Sequence, residues 1–148
     1  MENIVLEAKV LWAQIDSNNH LRHSAYADFA AQARVEALNS IGINVEKLHQ
    51  LQLGPILFKE TLIYKREIAP NDTVSVTCSL SYARKNAGKW AFRQYIYRGD
   101  GVLAAEVNVE GAWLNLSTRR LSIPPIEIAD ALFTKMHRTD DFILESKS

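Results

Sequence analysis

Cysteine is almost absent from this 148-residue chain. Cys78 stands alone, so no intramolecular disulfide can form and nothing in the composition calls for an oxidising compartment. The cytoplasm is therefore the expected location. Charge of one sign is not in excess, because 17 Lys+Arg balance 17 Asp+Glu. That balance removes the general positive field with which a protein attracts nucleic acid or an anionic membrane. No stretch approaches the roughly 20 consecutive apolar residues that span a bilayer, so no membrane span is expected. Glu2 and Glu7 stand where a secretory signal would carry bases, which argues against export. A Gly-rich phosphate loop, internal repeats and low-complexity linkers are also missing. At this length one domain is expected over residues 1–148, burying roughly 68–70% of the surface that the unfolded chain exposes.

What is present is a change of hydrophobic period along the chain. Ile4 to Ala13 is rich in Val, Leu and Ile and reads as a first strand, followed by a polar loop from Ile15 to His20. From Ser24 to about Ile41, the residues Tyr26, Phe29, Ala30, Ala33, Ala37 and Ile41 recur every three or four positions, which places them on one face of a helix. Ser24 fits its N-cap, and Gly42 can supply the left-handed residue that ends it. The helix carries many alanines, as suits a helix that another layer approaches closely. Asn44 to Gln52 predicts a short second helix, broken by Gly54-Pro55.

Strands dominate beyond that point. Val74, Val76, Cys78, Leu80 and Tyr82 alternate with Thr and Ser, the period of a strand with one buried face. A strand around Trp90 to Tyr97 turns at Arg98 to Gly101 into another from Val102 to about Leu116, with Gly111 as a candidate bulge. Ile126 to Met136 predicts a last helix, and 137–148 reads as a polar tail loosely held at the surface. The order of elements predicts an α+β fold with helices on one side of an antiparallel sheet.

Asp16, His20, His23 and Tyr26 crowd into eleven residues where the polar loop meets the main helix. A carboxylate acts on a thioester by direct attack or by activating water, and the oxyanion that forms needs fixed donors. A helix's first turn supplies them through N–H groups that lack intrahelical partners and a positive dipole end. Each residue type also has a plainer role: Asp as a turn residue, His as a surface hydrogen-bonding group, Tyr26 as core. The spacing of Asp16, His20 and His23 matches no metal motif. Cys78, mid-strand on an apolar face, reads as an inert core thiol.

The run from Val10 through Trp12, Asp16, His20 and His23 to Tyr26, continuing to Ala33-Arg34, resembles the start of the 4-hydroxybenzoyl-CoA thioesterase-like family. Glu67 to Asp72 is similar to the family's turn before its long strands, and Arg119 to Pro124 to its closing segment, so about residues 4 to 125 are covered. The resemblance implies a hotdog fold, a long central helix wrapped by an antiparallel sheet. It also implies homodimers or homotetramers with sheets joined edge to edge, active sites at the subunit interface, and no metal or organic cofactor. By resemblance Asp16 is the catalytic carboxylate, and Tyr26 lines the site beside His20 and Ser24. His23 matches a histidine of the branch related to Tol-Pal-associated acyl-CoA thioesterases, its N–H lying where the thioester carbonyl is polarised. Two departures stand out: Asn19 replaces the usual Gly, and Arg22-His23 replaces Asn-Asn. Asn tolerates positive φ, so the turn is expected to survive.

Arg84, Lys85 and Lys89 in a hairpin loop are candidates for the phosphates of coenzyme A, and a solvated basic loop is the competing reading. The function implied is hydrolysis of an acyl-CoA thioester, with the acyl chain in an apolar groove by the helix. A non-catalytic acyl-CoA-binding module and an enzyme acting on acyl-carrier-protein thioesters are the alternatives.

Overall fold

A computed structural model describes residues 3–146. Strand β1 (Ile4–Lys9) leads through a 3-10 turn (Trp12–Gln14) to the long helix α1 (His23–Ser40), the short helix α2 (Val45–Gln50) and the twelve-residue strand β2 (Leu53–Tyr64). Then come β3 (Thr73–Thr77), β4 (Ser79–Arg84), β5 (Lys89–Tyr97), β6 (Leu103–Asn115), β7 (Arg120–Ser122), α3 (Ile126–Lys135) and β8 (Arg138–Glu145). All eight strands among the described residues join one sheet. β5 is central: it pairs antiparallel with β3 and β4 on one side and β6 on the other. β1 lies outside β3, and β2 forms the opposite edge through β6. A sheet of this kind around one long helix is the hotdog fold expected from the sequence.

Packing follows the periods of the sequence. Along β5, Trp90, Phe92, Gln94 and Ile96 are buried while their neighbours are half-exposed. Val74, Val76, Val107 and Val109 join them at 0% exposure, and each such side chain stabilises the fold by about 1.5–3 kcal/mol through removal from water. On α1 the contact face is Ala25, Ala30, Ala33 and Ala37, all at 2% exposure or less. Their small size lets the sheet come close enough for the Gln94 amide to donate to the Ala30 carbonyl at 2.9 Å. Gln94 Oε1 in turn accepts from Arg34 at 3.0 Å, so this fully buried amide is satisfied.

Several expectations shift. The alternating run from Thr73 to Tyr82 is two strands, because the chain passes at Cys78 from β1 as its outer neighbour to β8. Thr77 Oγ1 accepts the Tyr95 N–H at 3.0 Å across that interruption. Gly54-Pro55 does not precede β2 but lies inside it, which an edge strand tolerates because proline's missing donor can face outward. The irregularity near Gly111 falls on its partner, between Leu57 and Lys59. Gly111 itself is needed for close approach, since a Cβ there would stand 2.3 Å from the Ile56 carbonyl oxygen and 2.5 Å from Trp90 Cη2.

The predicted loose tail is also corrected: Arg138–Glu145 forms β8, parallel to β4. Its polar composition fits an edge strand, with Arg93 holding Asp141 at 3.0 and 3.1 Å. Lys147 and Ser148 of the expected tail lie outside the described residues.

Candidate active site

The loop ahead of α1 is pinched shut by an antiparallel bridge between Ile15 and Leu21. Inside it, the Asp16 N–H donates to the His20 carbonyl at 2.8 Å and the Asn19 N–H to the Asp16 carbonyl at 3.1 Å. Asn19 takes φ +64° to close the turn, so asparagine does here what glycine would do. The Asp16 side chain completes the loop: Oδ1 accepts the N–H groups of Asn18 at 2.9 Å and His20 at 3.1 Å. Oδ2 has no hydrogen-bond partner among the described residues. One carboxylate oxygen is therefore fixed by the backbone while the other is free to act.

α1 begins at His23, with Arg22 in the N-cap position, two residues ahead of the predicted cap Ser24. No side chain caps it. Ser24 Oγ instead accepts from Arg22 Nε at 3.0 Å, and Ser24 does not line the cavity described next. The Ala25 N–H returns to the Arg22 carbonyl at 3.0 Å, whereas those of His23 and Ser24 have no protein acceptor among the described residues. Two donors at the positive end of an 18-residue helix are thus unspent.

Asp16, His20, His23 and Tyr26 all line one cavity of about 260 Å³, so the structure brings together the four residues that the sequence crowds. Tyr26 is 3% exposed, and its hydroxyl donates to the Arg66 carbonyl at 3.2 Å. Burial, followed by the negative charge of Glu67, raises the Tyr26 pKa and keeps the phenol a neutral donor.

The opposite wall comes from a segment that sequence reading passed over as a site: Tyr64, Lys65, Arg66 and Glu67, at and beyond the end of β2. Tyr64 presents its ring edge-on to His23 at 4.7 Å and to Tyr26 at 5.1 Å. Its hydroxyl reaches the His23 carbonyl at 3.4 Å. Glu67 is held below the usual carboxylate range by its own backbone N–H first and then by the charges of His20, Arg98 and Arg66. The available signal was a tyrosine and a charge run at a strand end, a pattern too common to mark a site without the fold.

The remaining candidates lie elsewhere. Arg84 and Lys89 line a separate cavity of about 430 Å³, where Arg84 Nε is buried without a partner among the described residues. Lys85 is exposed and lines neither cavity. The apolar groove beside the helix, about 280 Å³ and walled by Leu38, Ile43, Leu48, Leu53 and Leu116, lies at the far end of α1 from Asp16. Burial pushes the Cys78 thiol up to about 12, which makes it inert. Among the described residues, no group of three His, Cys, Asp or Glu side chains is placed to hold a metal ion, and no helix is long and apolar enough to cross a membrane.

The sequence model of the thioesterase-like superfamily matches residues 10–132. The chain belongs to that superfamily. Its structure is similar to that of a Staphylococcus aureus hypothetical protein solved in complex with CoA, at 20% identity and TM-score 0.83, covering 94% of this chain and 89% of that one. It is also similar to a 1,4-dihydroxy-2-naphthoyl-CoA thioesterase from Synechocystis, at 14% identity and TM-score 0.78, covering 89% and 96%. A DHNA-CoA thioesterase from Staphylococcus aureus gives 17% identity and TM-score 0.74, covering 80% and 78%. No curated protein sequence matches this superfamily member significantly.

Proposed function

We propose that this protein hydrolyses an acyl-CoA thioester to the free acid and CoA, with Asp16 as its reactive carboxylate. One observation carries the reading: a carboxylate with one oxygen pinned by two N–H groups and the other free shares a cavity with the uncapped start of α1. A thioester carbonyl placed there would meet the His23 N–H at the positive start of α1, which stabilises the oxyanion as charge develops. Asp16 attacks the carbonyl carbon or activates the water that does. The C–S bond then breaks, the acyl carbon gains the hydroxyl of water, and the departing thiolate takes up the proton, with His23 assisting the transfer. The similarity to CoA thioesterase structures supports coenzyme A as the thiol. The resemblance of His23 to a histidine of the Tol-Pal-associated branch favours that branch.

A second copy of the chain is expected along β2. That strand pairs with β6 alone among the described residues, so its other edge is unpaired. Leu57, Phe58, Ile63 and Tyr64 on it are 40–55% exposed. Tyr64 also lines the site, so a dimer joined here would bring the interface to the cavity. Light scattering on the purified chain tests this, and a monomer would refute it.

The hydrolytic reading is tested by a panel of aliphatic and hydroxyaryl acyl-CoA thioesters, with carrier-protein thioesters in parallel and a thiol reagent as readout. Asp16→Asn should lower kcat on the best substrate by about 10²–10⁴-fold with an unchanged Tm. Wild-type turnover in that variant would remove Asp16 from the chemistry. If CoA thioesters raise the Tm but none releases thiol, the protein is a binding module.

A further inference from the structure

We propose that Lys65 and Arg66 form an anion clamp at the mouth of the Asp16 cavity, binding a negatively charged group of the thioester substrate. The proposal rests on the thioester reading above and adds the residues that would select the substrate. Both side chains line the cavity that contains Asp16, His20 and His23. Both are exposed, and neither has a carboxylate oxygen within 4.0 Å among the described residues. Other cations near the site are spent: Arg22 reaches Asp28 and Arg98 is bound to Asp100. Glu67, the acid next in sequence, lines the same cavity and also faces an adjoining one of about 360 Å³, where His20 and Arg98 are its neighbours.

The backbone under the pair is fixed. The N–H groups of Lys65 and Arg66 both donate to the Ala104 carbonyl, at 2.8 and 3.1 Å, which turns the chain out of β2. The Arg66 carbonyl is held by the buried Tyr26 hydroxyl at 3.2 Å. Arg66 Nη1 folds back onto the Lys65 carbonyl at 2.9 Å, which leaves its other guanidinium donors free. Two free cations on a pinned segment beside the positive end of α1 give a local field that favours an anion. A guanidinium and an ammonium suit phosphate or carboxylate oxygens. The anion is therefore a phosphate of coenzyme A or a carboxylate carried by the acyl group.

The test uses the full chain and the variant Lys65→Gln/Arg66→Gln, with Lys65→Arg/Arg66→Lys as the charge-preserving control. Calorimetry with desulfo-CoA reads the phosphate source without requiring hydrolysis. N-acetylcysteamine thioesters, which lack phosphates, are compared with and without a terminal carboxylate on the acyl chain to read the other source. The double Gln variant should lose tenfold or more in affinity for desulfo-CoA, or in KM for the carboxylated thioester alone. Its kcat should stay within threefold, its unliganded Tm should be unchanged, and the loss should shrink as salt is raised. The charge-preserving variant should recover most of the affinity. If the double Gln variant matches wild type in both ligand series, or wild type engages neither, the clamp is wrong. If wild type cleaves no thioester yet binds desulfo-CoA more tightly than the double Gln variant, the clamp stands and only the hydrolytic reading falls.

Discussion

The two ends of α1 are built to opposite specifications. At the C-terminal end the Ala37, Leu38 and Asn39 carbonyls are all answered. Gly42 takes φ +86°, its N–H bonds the Asn39 carbonyl at 3.1 Å, and the Ile43 N–H bonds that of Leu38 at 2.8 Å, the paired bonds of a Schellman motif. Leu38 and Ile43 are buried, and Asn44 caps the next helix by accepting the Lys47 N–H at 2.8 Å. At the N-terminal end no side chain caps the helix, two N–H groups are unspent, and the adjacent turn is closed by Asp16 and a left-handed Asn19. A helix end that only had to be stable would resemble the first. The second gives up local satisfaction and keeps polar groups available to something that is not part of the chain.

That contrast can be broken from either side. The largest effects come from a reciprocal pair: Asp16→Asn should remove most turnover and spare the Tm. Leu48→Ala, in the apolar groove, should cost about 2–5 kcal/mol in denaturant unfolding and spare turnover per folded molecule. Loss of activity from both, at matched folded fraction, would mean the two ends are not separable. Gly111→Ala, away from either end, should destabilise by about 1–3 kcal/mol, because its Cβ has no room against Trp90 and the Ile56 carbonyl. A neutral result would show that the sheet can open there.

Smaller differences test the two left-handed positions. Gly42→Ala should cost about 1–2 kcal/mol with kcat intact, since only conformation is strained there. Asn19→Val should carry a similar penalty and reduce kcat too, because the strained turn also aims Asp16, whereas Asn19→Gly should preserve both. The smallest expected response is none at all. With its pKa raised to about 12 and 1% exposure, Cys78 should not react with a thiol reagent at pH 8 until the protein unfolds, leaving a clean background for the thioester assay.

The site was half legible. Asp16, His20, His23 and Tyr26 were visible because a loop and the helix it opens are consecutive in the chain, so local spacing fixes their proximity. Tyr64 to Glu67 were not, since about forty residues and two elements separate them from Tyr26 and only the end of β2 brings them alongside. The N-cap was misplaced by two residues, at Ser24 instead of Arg22. Propensity favoured a serine cap, but the Leu21 and Arg22 N–H groups are tied to the Ile68 and Gln14 carbonyls, which starts the helix at His23. The same limit applies to 137–148, whose polar composition reads as tail until β4 offers it an edge.

By itself the sequence determined what repeats with a local period: the alanine face of α1, the alternating strands, the left-handed stop at Gly42, and a lone acid ahead of a helix. The tertiary structure alone decided which distant segments share a surface. It placed Lys65 and Arg66 beside Asp16, put Arg84 and Lys89 in another cavity, and set the apolar groove at the far end of the helix. The physical reason is that side-chain period is written by the backbone geometry of a few neighbouring residues. Strand order and register come instead from burying all those faces at once, a condition that no single segment contains.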